Sequence, residues 1–307
     1  MNRIASFTIV SLLLLIIQNT YTQYSELFRV AAATEGLYEE IKSKATQYRK
    51  APQNAVVDKI WKAIPGYNGL EVDIEASYLN MKKQQQFNSE RLVYKEIAPS
   101  IHLQDLPPAP VYRGHPDKKM IALTINVAWG NEYLPVMLET LKKHNVFATF
   151  FLEGRWVKEN PSFAKMIAEA GQEVGNHSYT HPDMKTLSAA AIREQLSKTN
   201  DMIAVTTGKK VKWFAPPSGS YRDEVVKIAD ELQLGTIMWT VDTIDWQRPA
   251  PSVLIGRVTR KAHNGAIVLM HPTSSTAQSL DTLITLLKKE GYRLGTVSDL
   301  LDEKRID

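Results

Sequence analysis

The sequence predicts an α/β protein: a distorted (β/α) barrel of about seven parallel strands, preceded by a small α/β subdomain and an N-terminal apolar helix. Three observations carry this expectation. From residue 120 onward, short apolar runs alternate with amphipathic stretches of helical period, the pattern of parallel strands with helices packed outside them. Polar residues capable of chemistry cluster where the apolar runs end, as they do at the C-terminal mouth of a barrel. Residues 4–17 are almost wholly apolar behind a short basic start, and they have no polar face at helical period.

Taken in order, residues 1–22 read as a signal peptide or an uncleaved signal anchor. The apolar stretch is shorter than the ~20 residues of a membrane span. Thr20-Tyr21-Thr22 is a poor cleavage site. Either form predicts an exported protein, extracellular or membrane-anchored. Residues 23–50 read as a polar helical spacer. Residues 51–105 form the predicted subdomain, with a helix over 55–64 stopped by Pro65-Gly66, a strand over 70–74, a helix over 74–85 and a strand over 91–97. Residues 106–117, which open with Leu106-Pro107-Pro108-Ala109-Pro110, read as a stiff extended linker. The rest of the chain, 118–307, holds the predicted barrel. Its strands fall at 120–128, 147–152, 172–175, 213–216, 235–241, 266–270 and 293–297, with helices between them. An open doubly wound sheet is the alternative arrangement.

Composition narrows the chemistry. The 307 residues include no cysteine, which excludes disulfides, a thiolate nucleophile and cysteine-ligated zinc. The net charge of +4 suits an anionic wall or lipid surface, although solubility alone accounts for it equally well. No basic run with interleaved aromatics is present, so nucleic acid is not an expected partner.

The most informative stretch is His177-Ser178-Tyr179-Thr180-His181 in a chain with only seven histidines. Imidazole nitrogens bind divalent metals, and a four-residue offset lets two rings converge if the chain turns helical. An isolated pair of this kind more often caps a loop, because two ligands do not make a site. The surroundings change that reading. Asn126 follows the first strand, Pro216-Pro217-Ser218-Gly219 the fourth, Asp242 and Asp245 the fifth, and His271 the sixth. Chance would place one or two such residues at strand ends, not all of them.

With these motifs, residues 118–302 resemble the polysaccharide deacetylases with a NodB homology domain, metal-dependent carbohydrate esterases that remove acetyl groups from chitin-like or peptidoglycan sugars. The resemblance is strongest to the exported, sporulation-associated branch in spore-forming bacilli, whose first motif is similarly altered. It implies that His177 and His181 are metal ligands and that His271 is the acid protonating the departing sugar nitrogen. Asp242 or Asp245 would support that histidine, and Trp246 would wall the acetyl group. The backbone N–H of Ser218, after Pro217, would hold the oxyanion.

Two motifs depart from the family pattern. Where the family has Thr-Phe-Asp-Asp, this chain has Thr124-Ile125-Asn126-Val127. Asn126 therefore stands at the position of the general base, and Val127 at that of the third metal ligand. Ala215 replaces the arginine that holds the base, so a carboxylate and its guanidinium partner are lost together, which avoids a stranded charge. Asn131, Glu132 and Asp183 are candidate substitutes for the missing ligand. The resemblance implies a divalent metal, zinc or cobalt, on a weakened site, or no metal at all. The expected function is slow or altered metal-assisted hydrolysis of acetamide groups in cell-wall glycan or peptidoglycan. The alternative is a catalytically degenerate member that binds glycan or a protein partner in sporulation or cell-wall metabolism. A third reading takes residues 51–105 as the working part of a membrane-tethered wall protein. The membrane is a partner if the N-terminal segment stays uncleaved.

Overall fold

The computed structural model describes residues 20, 22–25 and 36–305. The expected N-terminal apolar helix lies outside the described residues, and among those described no helix is long and apolar enough to cross a membrane. The chain divides into two compact units, Met1–Pro52 with Gly69–Ile97, and Gln53–Asn68 with Ala98–Asp307. This division cuts through the expected 51–105 subdomain.

In the second unit, β1 (Val56–Asp58) and β2 (Lys62–Ile64) pair as an antiparallel hairpin. This overturns the helix expected over 55–64. The β-branched Val56 and Val57 favour the extended state. The Asp58 carboxylate accepts from the N–H groups of Ile60 and Trp61, each at 2.7 Å, and so turns the chain.

The first unit holds the antiparallel pair β3 (Gly69–Val72) and β4 (Tyr94–Ile97). Between them the helix Ile74–Met81 begins at Asp73, whose side chain caps the Ala76 N–H at 2.9 Å. Residues 36–44 are helical. Leu37 and Ile41 from this stretch pack with Val72, Met81 and Leu92 as the unit's own core.

The main sheet contains β5 (Met120–Val127), β6 (Thr149–Leu152), β7 (Glu173–Asn176), β8 (Trp213–Phe214), β9 (Gly235–Thr236), β10 (Val241–Asp242), β11 (Ala266–Met270) and β12 (Arg293–Gly295). The strands are parallel in the order β10-β11-β5-β6-β7-β8-β9. Central β5 is flanked by β11 on one side. Along its other edge β6 pairs with its C-terminal half and β12 with its N-terminal half. The single strand expected over 235–241 is broken into β9 and β10, which form the two ends of the sheet. The curl stays open there, giving a half-barrel in place of a closed ring.

Side chains alternate between the two faces of a strand, and β5 shows what this does. Met120 and Ala122 pack inside the curl with Phe151, Ala215 and Ile267. Ile121, Leu123, Ile125 and Val127 pack outward with helix residues such as Leu134, Leu138 and Leu141. Both faces are covered, so the whole strand is buried. Space inside is tight: a Cβ on Gly175 would lie 2.5 Å from the Phe151 ring.

The proline-rich segment 106–117, expected as a stiff extended linker, is hydrogen-bonded into the second unit. Val111 donates to Thr236 O and accepts from Met238 N, both at 2.8 Å, and Pro110 O accepts from Ala63 N at 3.1 Å. Val111 is buried with Ile237 and Ala63, and Leu106 and Ala109 pack against that cluster. Prolines lack a donor, but Val111 keeps its own, and its apolar side chain gains more by burial than by exposure.

Candidate functional site

A cavity of about 470 Å³ opens at the C-terminal ends of the strands. It is lined by Asn126, His177, His181, Ser218, Asp242, Trp246 and His271, so seven of the singled-out residues come together. Val127 and Pro217 do not line it. Pro217 borders an adjoining groove with Asp183 and Ser220. Asp245 lies behind the wall, fully buried.

One wall rises from β10 and β11. Asp245 Oδ1 accepts from His271 Nδ1 at 2.8 Å, and its Oδ2 accepts from the His271 N–H and the Thr276 hydroxyl, both at 2.6 Å. The carboxylate therefore fixes the imidazole and the first turn of the helix Ser274–Lys289 at once. Trp129 stacks on the His271 ring, with centroids 6.0 Å apart and planes 7° apart. Of the two candidate supports, Asp245 holds the histidine. Asp242 Oδ1 instead accepts from Ile244 N at 2.8 Å, in a turn where Ile244 takes a left-handed φ of 53°. Trp246 stands at the rim, 56% exposed.

The opposite wall comes from β5, β7 and β8. After β7 the chain does not turn helical. Asn176, buried, donates to Leu196 O at 2.8 Å and to Asn200 at 2.7 Å, while its Oδ1 accepts from Ser178 N at 2.8 Å. Ser178 and His181 adopt left-handed φ values of 61° and 56°. These bends bring the two imidazoles to 5.0 Å between centroids, edge to face at 72°.

His177 Nδ1 lies 2.7 Å from Ala215 O. A carbonyl only accepts, so Nδ1 carries the proton and Nε2 keeps its lone pair. Burial, then the neighbouring His181, pushes the His177 pKa down to about 3. Burial, helped by nearby His271, lowers that of His181 as well. Ala215 is itself buried. Ser218 has a φ of 52°, on the short turn Pro217–Gly219.

The implied metal can be tested against this donor set. Two neutral imidazoles are in place. Val127 is fully buried in the outer apolar cluster because strand alternation turns it away from the cavity. None of the candidate substitutes completes the set. Asn131 is bonded to Trp156 Nε1 at 2.6 Å and to Asn160 at 2.7 Å. Glu132 is exposed, and Asp183 accepts from the Ser220 hydroxyl. Among the described residues no group of three His, Cys, Asp or Glu side chains could hold a metal ion. A catalytic zinc site uses three protein ligands, so the residues present do not fit one.

Asn126 is 5% exposed, and its Oδ1 is buried without a hydrogen-bond partner. Sequence reasoning missed two participants. Trp239 lines the cavity, but it was absorbed into an expected continuous strand, and the strand break there exposes it. Thr276 carried no signal beyond its place near a helix start.

The comparisons with known proteins agree with this geometry. The family described as polysaccharide deacetylase matches residues 113–237. The uncharacterized protein YlxY of Bacillus subtilis is 60% identical over 277 residues, covering 90% of this chain and 87% of that protein. The peptidoglycan-N-acetylmuramic acid deacetylase PdaA of Bacillus subtilis is 36% identical over 200 residues, 64% of this chain and 76% of the enzyme. Among solved structures, a CE4 family pseudoenzyme from Bacillus anthracis is 70% identical with a TM-score of 0.84, covering 88% of this chain and 96% of that one. A mutant of the same pseudoenzyme with restored enzymatic activity is 69% identical, also with a TM-score of 0.84, covering 88% of this chain and 99% of that one. The half-barrel, the ordered motifs and these similarities together mean that the chain belongs to the polysaccharide deacetylase family.

Proposed function

We propose that this protein is a catalytically degenerate deacetylase homologue that binds acetylated cell-wall glycan in the strand-end cavity without turning it over. The observation that carries this reading is the neutral amide of Asn126 at the base position, with neither the carboxylate nor its arginine present. An amide nitrogen is not basic near neutral pH, and base assistance contributes about 10²–10⁴-fold. The cavity and its aromatic lining persist, so binding outlives turnover. The high similarity to a CE4 family pseudoenzyme supports the reading, and the name of PdaA points to peptidoglycan as the glycan. An exported protein facing the wall, with a place in sporulation or wall metabolism, follows from the apolar N-terminal sequence and from the branch the motifs resemble.

The retained His271–Asp245 pair favours a second reading, residual slow hydrolysis. One experiment separates the two: titrate N-acetylated chito-oligosaccharides and peptidoglycan fragments against tryptophan fluorescence, then assay acetate release. Saturable binding with no measurable acetate is expected. Protein-dependent acetate release at any rate above the uncatalysed background would overturn the degenerate reading in favour of the second. Absence of any glycan-induced change in Trp129, Trp239 or Trp246 emission would remove glycan binding altogether.

A further inference from the structure

We propose that the β1–β2 hairpin of the second unit is a membrane-contact site: Ile60 and Trp61 enter the headgroup layer of an anionic lipid surface, and Lys59 and Lys62 pair with its phosphates. None of these residues lines the strand-end cavity, and the site does not depend on the glycan-binding reading.

A single exposed apolar side chain is ordinary, but a contiguous group of them marks an interaction surface. Ile60 is 74% exposed, Val56 and Val57 are each 49% exposed, and Trp61 and Ile101 are exposed as well. They are neighbours. Val56, Val57, Ile60 and Trp61 lie along one hairpin, and the Ala55 N–H donates to Ile101 O at 2.9 Å at its base. The fold holds these side chains outward. The returning strand is anchored, since Ala63 is buried with Val111 and its N–H donates to Pro110 O at 3.1 Å. Val56 and Val57 sit on opposite faces of the outgoing strand, so both faces of the hairpin are open to solvent there. The Asp58 carboxylate, accepting from the Ile60 and Trp61 N–H groups, fixes the turn that presents their side chains.

Charge and composition name the occupant. Asp58 is the only acid in segment 55–64, and Lys59 and Lys62 bracket Ile60 and Trp61. The Arg113 guanidinium, 5.8 Å from the Trp61 ring centroid, adds a further positive charge and steadies the indole. The tip is therefore apolar at its end and positive around it, the complement of an anionic bilayer. An indole settles at headgroup depth, an aliphatic side chain goes deeper, and lysine stems reach back to the phosphates. A protein partner would need both a socket for a projecting tip and carboxylates around it; a lipid surface supplies both features without a shaped pocket. The apolar residues 4–17, read as a signal or anchor, make a membrane a surface that this chain meets.

The chain has no cysteine, so Ile60→Cys places one environment-sensitive fluorophore at the tip. Val205→Cys, at an exposed position on the helix Ala189–Thr207, is the control. Each labelled full chain is titrated with vesicles of phosphatidylcholine alone and of phosphatidylcholine mixed with phosphatidylglycerol. The label at position 60 is expected to brighten and shift to the blue on the anionic vesicles, and the label at 205 to stay unchanged. Adding Lys59→Gln and Lys62→Gln to the tip-labelled chain should raise the lipid concentration for half the shift by at least ~10-fold, the loss that two lysines beside an anionic surface predict. No shift at position 60, an equal shift at 205, or an equal response to neutral vesicles would overturn the proposal, however the lysine variant folds. A shift at position 60 that follows protein concentration without lipid would assign the hairpin to a contact between copies of this chain, and would overturn it as well.

Discussion

The two walls of the cavity have kept different things. On the β10–β11 side, His271, Asp245, Thr276 and Trp129 form a connected set with every polar atom of the buried carboxylate engaged. On the β5–β8 side stand Asn126, Val127 and Ala215, where the motif resemblance would put a base, a third ligand and an arginine holding the base. The difference follows from what each group does for the fold. Asp245 anchors a main-chain N–H and the start of a sixteen-residue helix, so losing it would strand buried donors. A carboxylate and guanidinium that mainly held each other can leave together without stranding a charge. Persistence of the His271–Asp245 wall is thus explained by stability and is not by itself a sign of catalysis.

The largest test of this contrast is to rebuild the altered wall. The triple change Asn126→Asp, Val127→Asp and Ala215→Arg should raise acetate release in the presence of zinc or cobalt by the ~10²–10⁴-fold that a base contributes, or more. The CE4 pseudoenzyme mutant with restored activity makes the experiment concrete. A folded, inert triple variant would mean that the retained wall is no longer competent.

The single change Val127→Asp sharpens the comparison through stability alone. Val127 packs outward among apolar side chains, so a carboxylate there is stranded unless it swings to the histidines. Without metal, the variant should lose about 3–5 kcal/mol in urea unfolding. Added zinc should return a large part of that by binding the folded state. Zinc without effect would show that position 127 cannot reach His177 and His181.

On the intact wall, Asp245→Ala should cost about 3 kcal/mol, since two buried donors and the His271 ring lose their acceptor. Chemical denaturation measures it. A loss below half a kilocalorie per mole would undo the claim that this wall is kept for stability.

Much of this contrast was legible in the sequence, for physical reasons. Parallel strands buried on both faces read as apolar runs, so β5, β6 and β11 stood out, and functional groups sit where such runs end. Asn126, Val127 and Ala215 were visible as departures because each occupies a fixed place in an ordered set of motifs. The facing of residues was less legible. That Val127 points out of the cavity depends on strand phase, and that Asp245 and not Asp242 holds His271 depends on the turn around Ile244. The 55–64 hairpin was missed because a local Asp58 turn overrode an apparent helical period. The split of β9 from β10 was missed because nothing in a continuous apolar run marks where pairing stops.

The smallest expected effect concerns the charge state of the altered wall. Burial lowers the His177 pKa from 6.5 to about 3, so between those values the unfolded chain binds a proton that the folded chain does not. The stabilisation is therefore complete above about pH 6.5 and is lost as pH falls towards 3, at a slope of up to ~1.4 kcal/mol per pH unit. His181, lowered in the same direction, adds to the slope. In His177→Gln with a chelator present, the ring that must stay neutral is gone, and the stability profile between pH 6 and 4 should flatten by up to that amount. Parallel profiles for wild type and variant would mean that His177 accepts a proton while folded. The altered wall would then carry positive charge under acid conditions.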